Sequence, residues 1–281
     1  MKNKTLWTDT EGKPIQAHGG MILQHKGIYY WYGENKDTET VNRHVDFIGI
    51  SCYSSEDLEN WRNEGIVLSP VVNNPAHMLY TKNICERPRV LYNKSTKQFV
   101  MYTHADTADY YYAGVNVAVA ASPTGPFVWL KSFQPNRQDS RDMTLFQDLD
   151  GSAWLIHSAN YNKTMNIARL SDDYLDVTGS YISIFQDQER EAPAIMYSHN
   201  RYYMITSGCS GWEPNPSLYG ICDHLIGPWK LIDNPCTGPA YRTTFDGQGT
   251  CIFFVQNQPY VLLDHWHPDD LRSSAYSMLP I

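Results

Sequence analysis

The sequence predicts an all-β protein, a single five-bladed β-propeller running over residues 1–281. Three observations carry that prediction. Helical periodicity is almost absent along the chain. A hairpin of constant grammar (an apolar alternating strand, a tight turn and an aromatic-led strand) recurs five times. A second, outer hairpin follows each of the first four copies, so two hairpins supply the four strands of a propeller blade.

The inner hairpins read HGGMILQHKGIYYWYGE from His18, ERPRVLYNKSTKQFVMYTH from Glu86 and RDMTLFQDLDGSAWLIHSAN from Arg141. EAPAIMYSHNRYYMITSG follows from Glu191 and GQGTCIFFVQNQPYVLLDHW from Gly247. Their turns carry Gly, Asn, Asp or Lys, residues suited to tight reversals. The outer hairpins place a polar Ser/Asp turn between an apolar strand and one entered through Trp, Phe or Tyr. Two of them share Gly-Pro-aromatic, at Gly125-Pro126-Phe127 and Gly227-Pro228-Trp229. Blade starts fall about 50 to 70 residues apart, a spacing that suits propeller blades. The fifth unit has no evident final outer strand after DHWHPDDLRSSAYSMLPI. Either the segment LWTDTEGKPIQA closes the ring by adding a strand, or the C-terminus is shortened.

Composition narrows the function classes. The 42% hydrophobic and 19% charged residues are ordinary for a globular chain. The 20 Tyr and 8 Trp favour strands and also offer flat faces on which a sugar ring can lie. A net charge of −8 without any basic run excludes a nucleic-acid partner. No run of 18 apolar residues is present, so no membrane-spanning helix is expected. The opening MKNKTLWTDT lacks an apolar signal core: a cytoplasmic location follows if Met1 is the native start, and a secreted or periplasmic one otherwise. Six sparse cysteines without a CxxC pair are read as free thiols, with a Cys209–Cys222 bridge as the alternative. Nothing in the sequence speaks to oligomeric state.

In a closed ring of blades the innermost strands line one channel, and their first residues share its mouth. Those positions are His18, Glu86, Asp142, Glu191 and Gln248. Acids converging on one mouth raise one another's pKa, a cost that points to use. The alternative is that Glu86 and Asp142 pair with their sequence neighbours Arg87 and Arg141. Glycoside hydrolysis needs a protonated carboxyl to meet the leaving oxygen and an opposing group to handle water. Glu191, followed by Ala-Pro-Ala and further apolar residues, is the expected acid because desolvation raises a carboxyl's pKa.

AHGGMILQHKGIYYWYGENK, CERPRVLYN, SRDMTLFQDLDG, EAPAIMYSHNRYYMITSGCSGWEPN and DHWHPDDLRSSAY resemble family 43 glycoside hydrolases, and within them the exo-β-1,3-galactanase branch. The resemblance runs from about Trp7 to the end. It implies a five-bladed propeller and an inverting release of galactose from β-1,3-galactan, the arabinogalactan backbone. Glu191 then matches the general acid and Asp142 the residue that tunes it, while Glu34, Glu86 and Gln248 match residues that hold the terminal galactose or position water. Most family 43 enzymes carry an Asp base in the first blade, where this chain has His18-Gly19-Gly20. The base is therefore open between Gln248 and Glu86. A neutral amide is a very poor proton acceptor, so on chemistry alone Glu86 is the better base.

Further substrate-binding candidates are His18, Trp212 for stacking, Tyr111 in the run Tyr110-Tyr111-Tyr112, and Asn160 near a strand end beside Asn162. His265 and His267 lack a third ligand at zinc spacing. No metal site and no required cofactor are expected; Ca²⁺ in the channel near His18 is the one ion considered, without a ligand loop to support it. Two competing functions stay open: a family 43 enzyme for an α-L-arabinofuranoside or β-xyloside, and a carbohydrate-binding propeller without turnover.

Overall fold

The computed structural model describes residues 3–281 and is a ring of five antiparallel blades. Blade 1 comprises β1 (His18–His25), β2 (Ile28–Glu34), β3 (Ile50–Ser55) and β4 (Arg62–Leu68). Blade 2 comprises β5 (Ile84–Asn93), β6 (Gln98–Asp106), β7 (Gly114–Ala120) and β8 (Val128–Phe133). Blade 3 comprises β9 (Met143–Gln147), β10 (Ala153–Ala159), β11 (Thr164–Leu170) and β12 (Val177–Ile184). Blade 4 comprises β13 (Arg190–Ser198), β14 (Arg201–Gly208), β15 (Leu218–Cys222) and β16 (Lys230–Leu231). Blade 5 is three-stranded: β17 (Gln248–Val255), β18 (Gln258–His265) and β19 (Ala275–Pro280). The N-terminal segment runs beside β19, where Thr5 and Tyr276 form an antiparallel bridge and the Lys4 N–H donates to Ser277 Oγ at 2.8 Å. No helix among the described residues is long and apolar enough to cross a membrane.

The aromatic-led strands explain the tyrosine excess. Alternation along β2 sends Tyr29 and Trp31 into an apolar cluster shared with blade 5, and Tyr30 and Tyr32 into one shared with blade 2. Along β6, Phe99 and Met101 face blade 1, while Val100 and Tyr102 face blade 3. A second strand flanked by blades on both sides has no solvent face to leave polar. Among the described residues, four such clusters fill four of the five seams. The seam between blades 4 and 5 holds instead an open apolar cleft of about 1020 Å³, lined by Met196, Ile205, Tyr219, Val261, Leu263 and Leu279 among others.

Two arginines of β5 plug the channel. Arg89 is 1% exposed, and its Nη atoms donate to the carbonyls of Gly19 (2.8 Å), Gly20 (3.2 Å), Pro88 (2.8 Å) and Thr250 (2.6 Å), with Nε on Thr144 Oγ1 at 3.2 Å. It thereby ties blades 1, 2, 3 and 5. Burial without a carboxylate partner lowers its pKa to about 10.

The inner strands of blades 1, 2, 4 and 5 carry register shifts just after their opening residues, between His18 and Met21, Glu86 and Arg89, Glu191 and Ala194, and Gly249 and Cys251. A bulge re-aims the side chain beside it. In three of these the next residue is left-handed: Gly19 at φ 56°, Arg87 at 53° and Ala192 at 48°. Two of the three are not glycine, and each such residue costs about 1–2 kcal/mol.

The unequal seams give a stability prediction. Trp31, fully buried edge-on to Trp7, Trp61 and Tyr276, is expected to cost about 3–5 kcal/mol when replaced by Ala. Met196→Ala, beside the open seam, is expected to cost less than about 2 kcal/mol, since little packing surrounds it. Urea unfolding of both variants checks the difference.

Candidate active site

Glu34, Glu86, Arg87, Asp142, Glu191, Trp212 and Gln248 line one cleft of about 880 Å³ at the channel mouth, together with His104, Tyr110, Arg141, Asn162, Gly211 and Trp266. Arg87 is its hub. Its Nε and Nη2 grip both oxygens of Asp142 at 3.1 and 3.0 Å, a bidentate fork, and Nη2 also donates to Gln248 Oε1 at 2.6 Å. Arg87 thus pairs with Asp142 across the blades and not with adjacent Glu86, while Arg141 pairs with Asp139. Opposing carboxylates push the Arg87 pKa up against the effect of burial.

Carboxylates staple the bulges to neighbouring blades. Glu34 Oε1 accepts the Arg87 N–H at 3.0 Å, Asp142 Oδ2 accepts the Ala192 N–H at 3.0 Å, and Asp264 Oδ2 accepts the Gly19 N–H at 2.7 Å. The Asp142–Ala192 bond fixes the backbone directly after Glu191.

Glu191 and Glu86 receive opposite treatment. Burial, then the nearby Asp142 charge, raises Glu191 to about 8, against the attraction of Arg87. Burial acts on Glu86 too. There it is outweighed by the His104 ring 3.5 Å away and by the charges of Lys36, His104 and Arg87, which hold Glu86 down at about 2. His104 lies between Glu86 (3.5 Å) and Asp106 (3.3 Å); burial opposes its charge, yet the two carboxylates raise it to about 9. Near neutral pH, one carboxyl of the cleft is protonated and another ionised.

Gln248 uses its whole amide. Its Oε1 accepts from Arg87 and from Trp266 Nε1 (3.0 Å), and its Nε2 donates to Glu191 Oε1 (3.2 Å) and Ser207 Oγ (3.1 Å). Arg and Trp are donors only, so the orientation of the amide is fixed. Both oxygens of Glu191 accept from amides, Oε1 from Gln248 Nε2 at 3.2 Å and Oε2 from Asn162 Nδ2 at 3.5 Å, so the more weakly held Oε2 is the better seat for the acid proton.

Three sequence candidates lie elsewhere. His18 is fully buried, stacked on Tyr276 at 5.0 Å and 3.5 Å from Asp264. Gly19 bends the strand, and the Glu34 carboxylate packs against it so closely that a Cβ there would sit 2.3 Å from Oε1. Glu34 takes the place in the cleft that His18 does not reach. Around His18 stand oxygens of Asp264, Gln16 and Tyr276. Tyr111 points to solvent, 87% exposed, while Tyr110 lines the cleft and donates to Glu86 Oε1 at 3.3 Å. Asn160 is outside the cleft walls, and Asn162 is in them. His265 bonds the Asp246 carbonyl and Ser277. All six cysteines are free, and Cys222 Sγ faces the carbonyls of His224 and Pro228. Among the described residues, no group of three or more His, Cys, Asp and Glu side chains is arranged to hold a metal ion.

Arg87, His104, Arg141 and Trp266 were not singled out from the sequence as site residues, whereas Tyr110 and Asn162 were named there beside Tyr111 and Asn160. One usable signal was present. A polar residue at or near the end of each second strand (Glu34, His104, Ser158, Ser207, Asp264) sits opposite a blade opener.

A plugged propeller whose mouth sets a protonated carboxyl beside ionised ones has the equipment of a glycoside hydrolase. Comparison with known proteins agrees. The family model "Glycosyl hydrolases family 43" matches residues 13–260, and the chain belongs to that family. A family 43 β-1,3-galactosidase solved with galactodeoxynojirimycin superposes with a TM-score of 0.94 at 38% identity, covering 100% of this chain and 94% of that one. An exo-β-1,3-galactanase of Phanerochaete chrysosporium solved with β-1,3-galactotriose gives 0.92 at 34% identity, covering 100% and 64%. A β-D-galactofuranosidase of Aspergillus niger is 22% identical over 232 residues, 75% of this chain and 66% of its own length.

The raised Glu191 predicts a pH profile. An acid that works while protonated loses rate as pH rises through about 8. Asp142→Asn removes the charge that helps raise it, so the alkaline limb is expected to move to lower pH. Rates of glycoside hydrolysis between pH 4 and about 10 check the direction.

Proposed function

We propose that this glycosidase releases galactose from the non-reducing end of a β-1,3-galactan with inversion at the anomeric carbon. The observation that carries the reading is Glu191, held protonated near neutral pH beside the Asp142–Arg87 pair. Arg87 and Arg89 floor the cleft, so no chain threads the ring, and exo action is supported by the exo-β-1,3-galactanase relative. The β-1,3-galactose linkage is supported by the relatives at 34–38% identity.

Glu191 gives its Oε2 proton to the glycosidic oxygen as that bond breaks, and water attacks the opposite face of the sugar. Gln248 holds Oε1 of the acid, and Asp142 keeps its pKa high. Glu86 supplies the ionised oxygen for the water: its charge is secured by His104 and Lys36, whereas the Gln248 oxygen is already occupied by Arg87 and Trp266. The low basicity of Glu86 makes orientation and charge its larger contribution, with proton uptake late.

Glu191→Gln is expected to lower galactan hydrolysis by about 10²–10⁴ while leaving folding intact, and to lower it far less on an aryl galactoside whose leaving group needs little protonation. Wild-type enzyme on β-1,3-galactobiose is expected to release α-galactose first by NMR. Azide is expected to rescue Glu86→Ala and not Gln248→Ala. Near wild-type turnover by Glu191→Gln, or β-galactose as first product, refutes the assignment.

A further inference from the structure

Beside the cleft, Asn160, Tyr161 and Asn162 are all left-handed, at φ 50°, 55° and 64°. Three consecutive non-glycine residues in that region are costly and persist only where the surroundings hold them. The holder is Asp139, outside the cleft walls. Its carboxylate accepts the backbone N–H groups of Asn160 (2.5 Å) and Tyr161 (2.8 Å) and pairs with Arg141. The product of this clamp is an aromatic ring turned outward: Tyr161 is 78% exposed. The same Arg141 that lines the cleft lies over the Tyr161 ring, 5.1 Å from its centroid. Fixing a large apolar ring in water by a strained, charge-clamped turn contributes nothing to the core.

Burial orders the site by depth. Glu34 and Arg87 are deep at 5% exposed, Arg141 is intermediate, and Tyr161 lies outermost. Asn162, next to Tyr161, lies 3.5 Å from Glu191 Oε2, the oxygen from which the proposed acid gives its proton. The line from Glu191 Oε2 past Asn162 and Arg141 to Tyr161 therefore runs toward the leaving-group side.

We infer that Tyr161, buttressed by Arg141, is a stacking platform for the second sugar beyond the scissile bond, and so sets a preference for chains of three units or more. This rests on the exo-galactanase reading for the sugar's identity only. Sugar rings present apolar C–H faces that pack on aromatic faces, and no hydroxyl pattern is needed for the contact.

The test compares β-1,3-galactobiose with β-1,3-galactotriose in wild type, Tyr161→Ala and Tyr161→Phe. For Tyr161→Ala, kcat/KM on the trisaccharide is expected to fall about three- to tenfold, mainly through KM, the size of one lost aromatic face. On the disaccharide it stays within about twofold, and Tyr161→Phe restores the trisaccharide value. Equal losses on both substrates mean that Tyr161 only supports the Arg141 turn, and no loss on either means that it touches no sugar; each overturns the platform. A wild type that cleaves neither galactoside but acts on another glycoside refutes the galactanase reading separately, and the same two- and three-unit comparison on that glycoside then decides the platform.

Discussion

A ring of five blades forces the opening residues of its inner strands into one small space, and here several of them are acids. Left alone, such a mouth would repel itself. The Arg87 guanidinium is what allows it to close: it holds Asp142 of blade 3 by both oxygens and Gln248 of blade 5, while its own N–H is held by Glu34 of blade 1. One residue of blade 2 thereby touches three other blades. Below it Arg89 repeats the device with carbonyls in place of carboxylates, and each of its three guanidinium nitrogens finds an oxygen.

The same cation accounts for the unequal carboxyls. Asp142 is bound directly to Arg87 and gives its negative field to Glu191, which has burial but no direct bond from that cation. Glu86 has His104 on one side and the Lys36 charge nearby, so burial loses there. Two glutamates in one cleft are separated in pKa by which neighbours each can reach, the division that acid-assisted glycoside cleavage requires.

Backbone strain is concentrated where these groups meet. Arg87 and Ala192 are left-handed directly after the two glutamates, and both N–H groups end on carboxylates of a neighbouring blade. Each bond stabilises the strained turn, joins two blades and sets the direction of a reacting side chain. The seam between blades 4 and 5 holds an open apolar cleft, and it is spanned at the mouth by Gln248 with its bonds to Glu191 and Ser207. The polar ties of the site thus help to close the ring above this cleft.

The five repeated hairpins determined the blade count from sequence, because strand alternation and turn chemistry are local. The opening residues Glu86, Asp142, Glu191 and Gln248 were legible for the same reason: each occupies the same place in a repeat. His18 occupies that place too, and only the tertiary structure removed it from the cleft, through the bend at Gly19 and the Glu34 carboxylate packed over it. The choice of Tyr110 over Tyr111, and of Asn162 over Asn160, follows loop conformations that no periodicity encodes. Arg87 looked like a partner for adjacent Glu86, yet its left-handed backbone carries it across the channel to Asp142. Local pattern determined which strands form and which side chains begin them. Ring closure decided which charges meet, because that depends on distances between blades far apart in sequence.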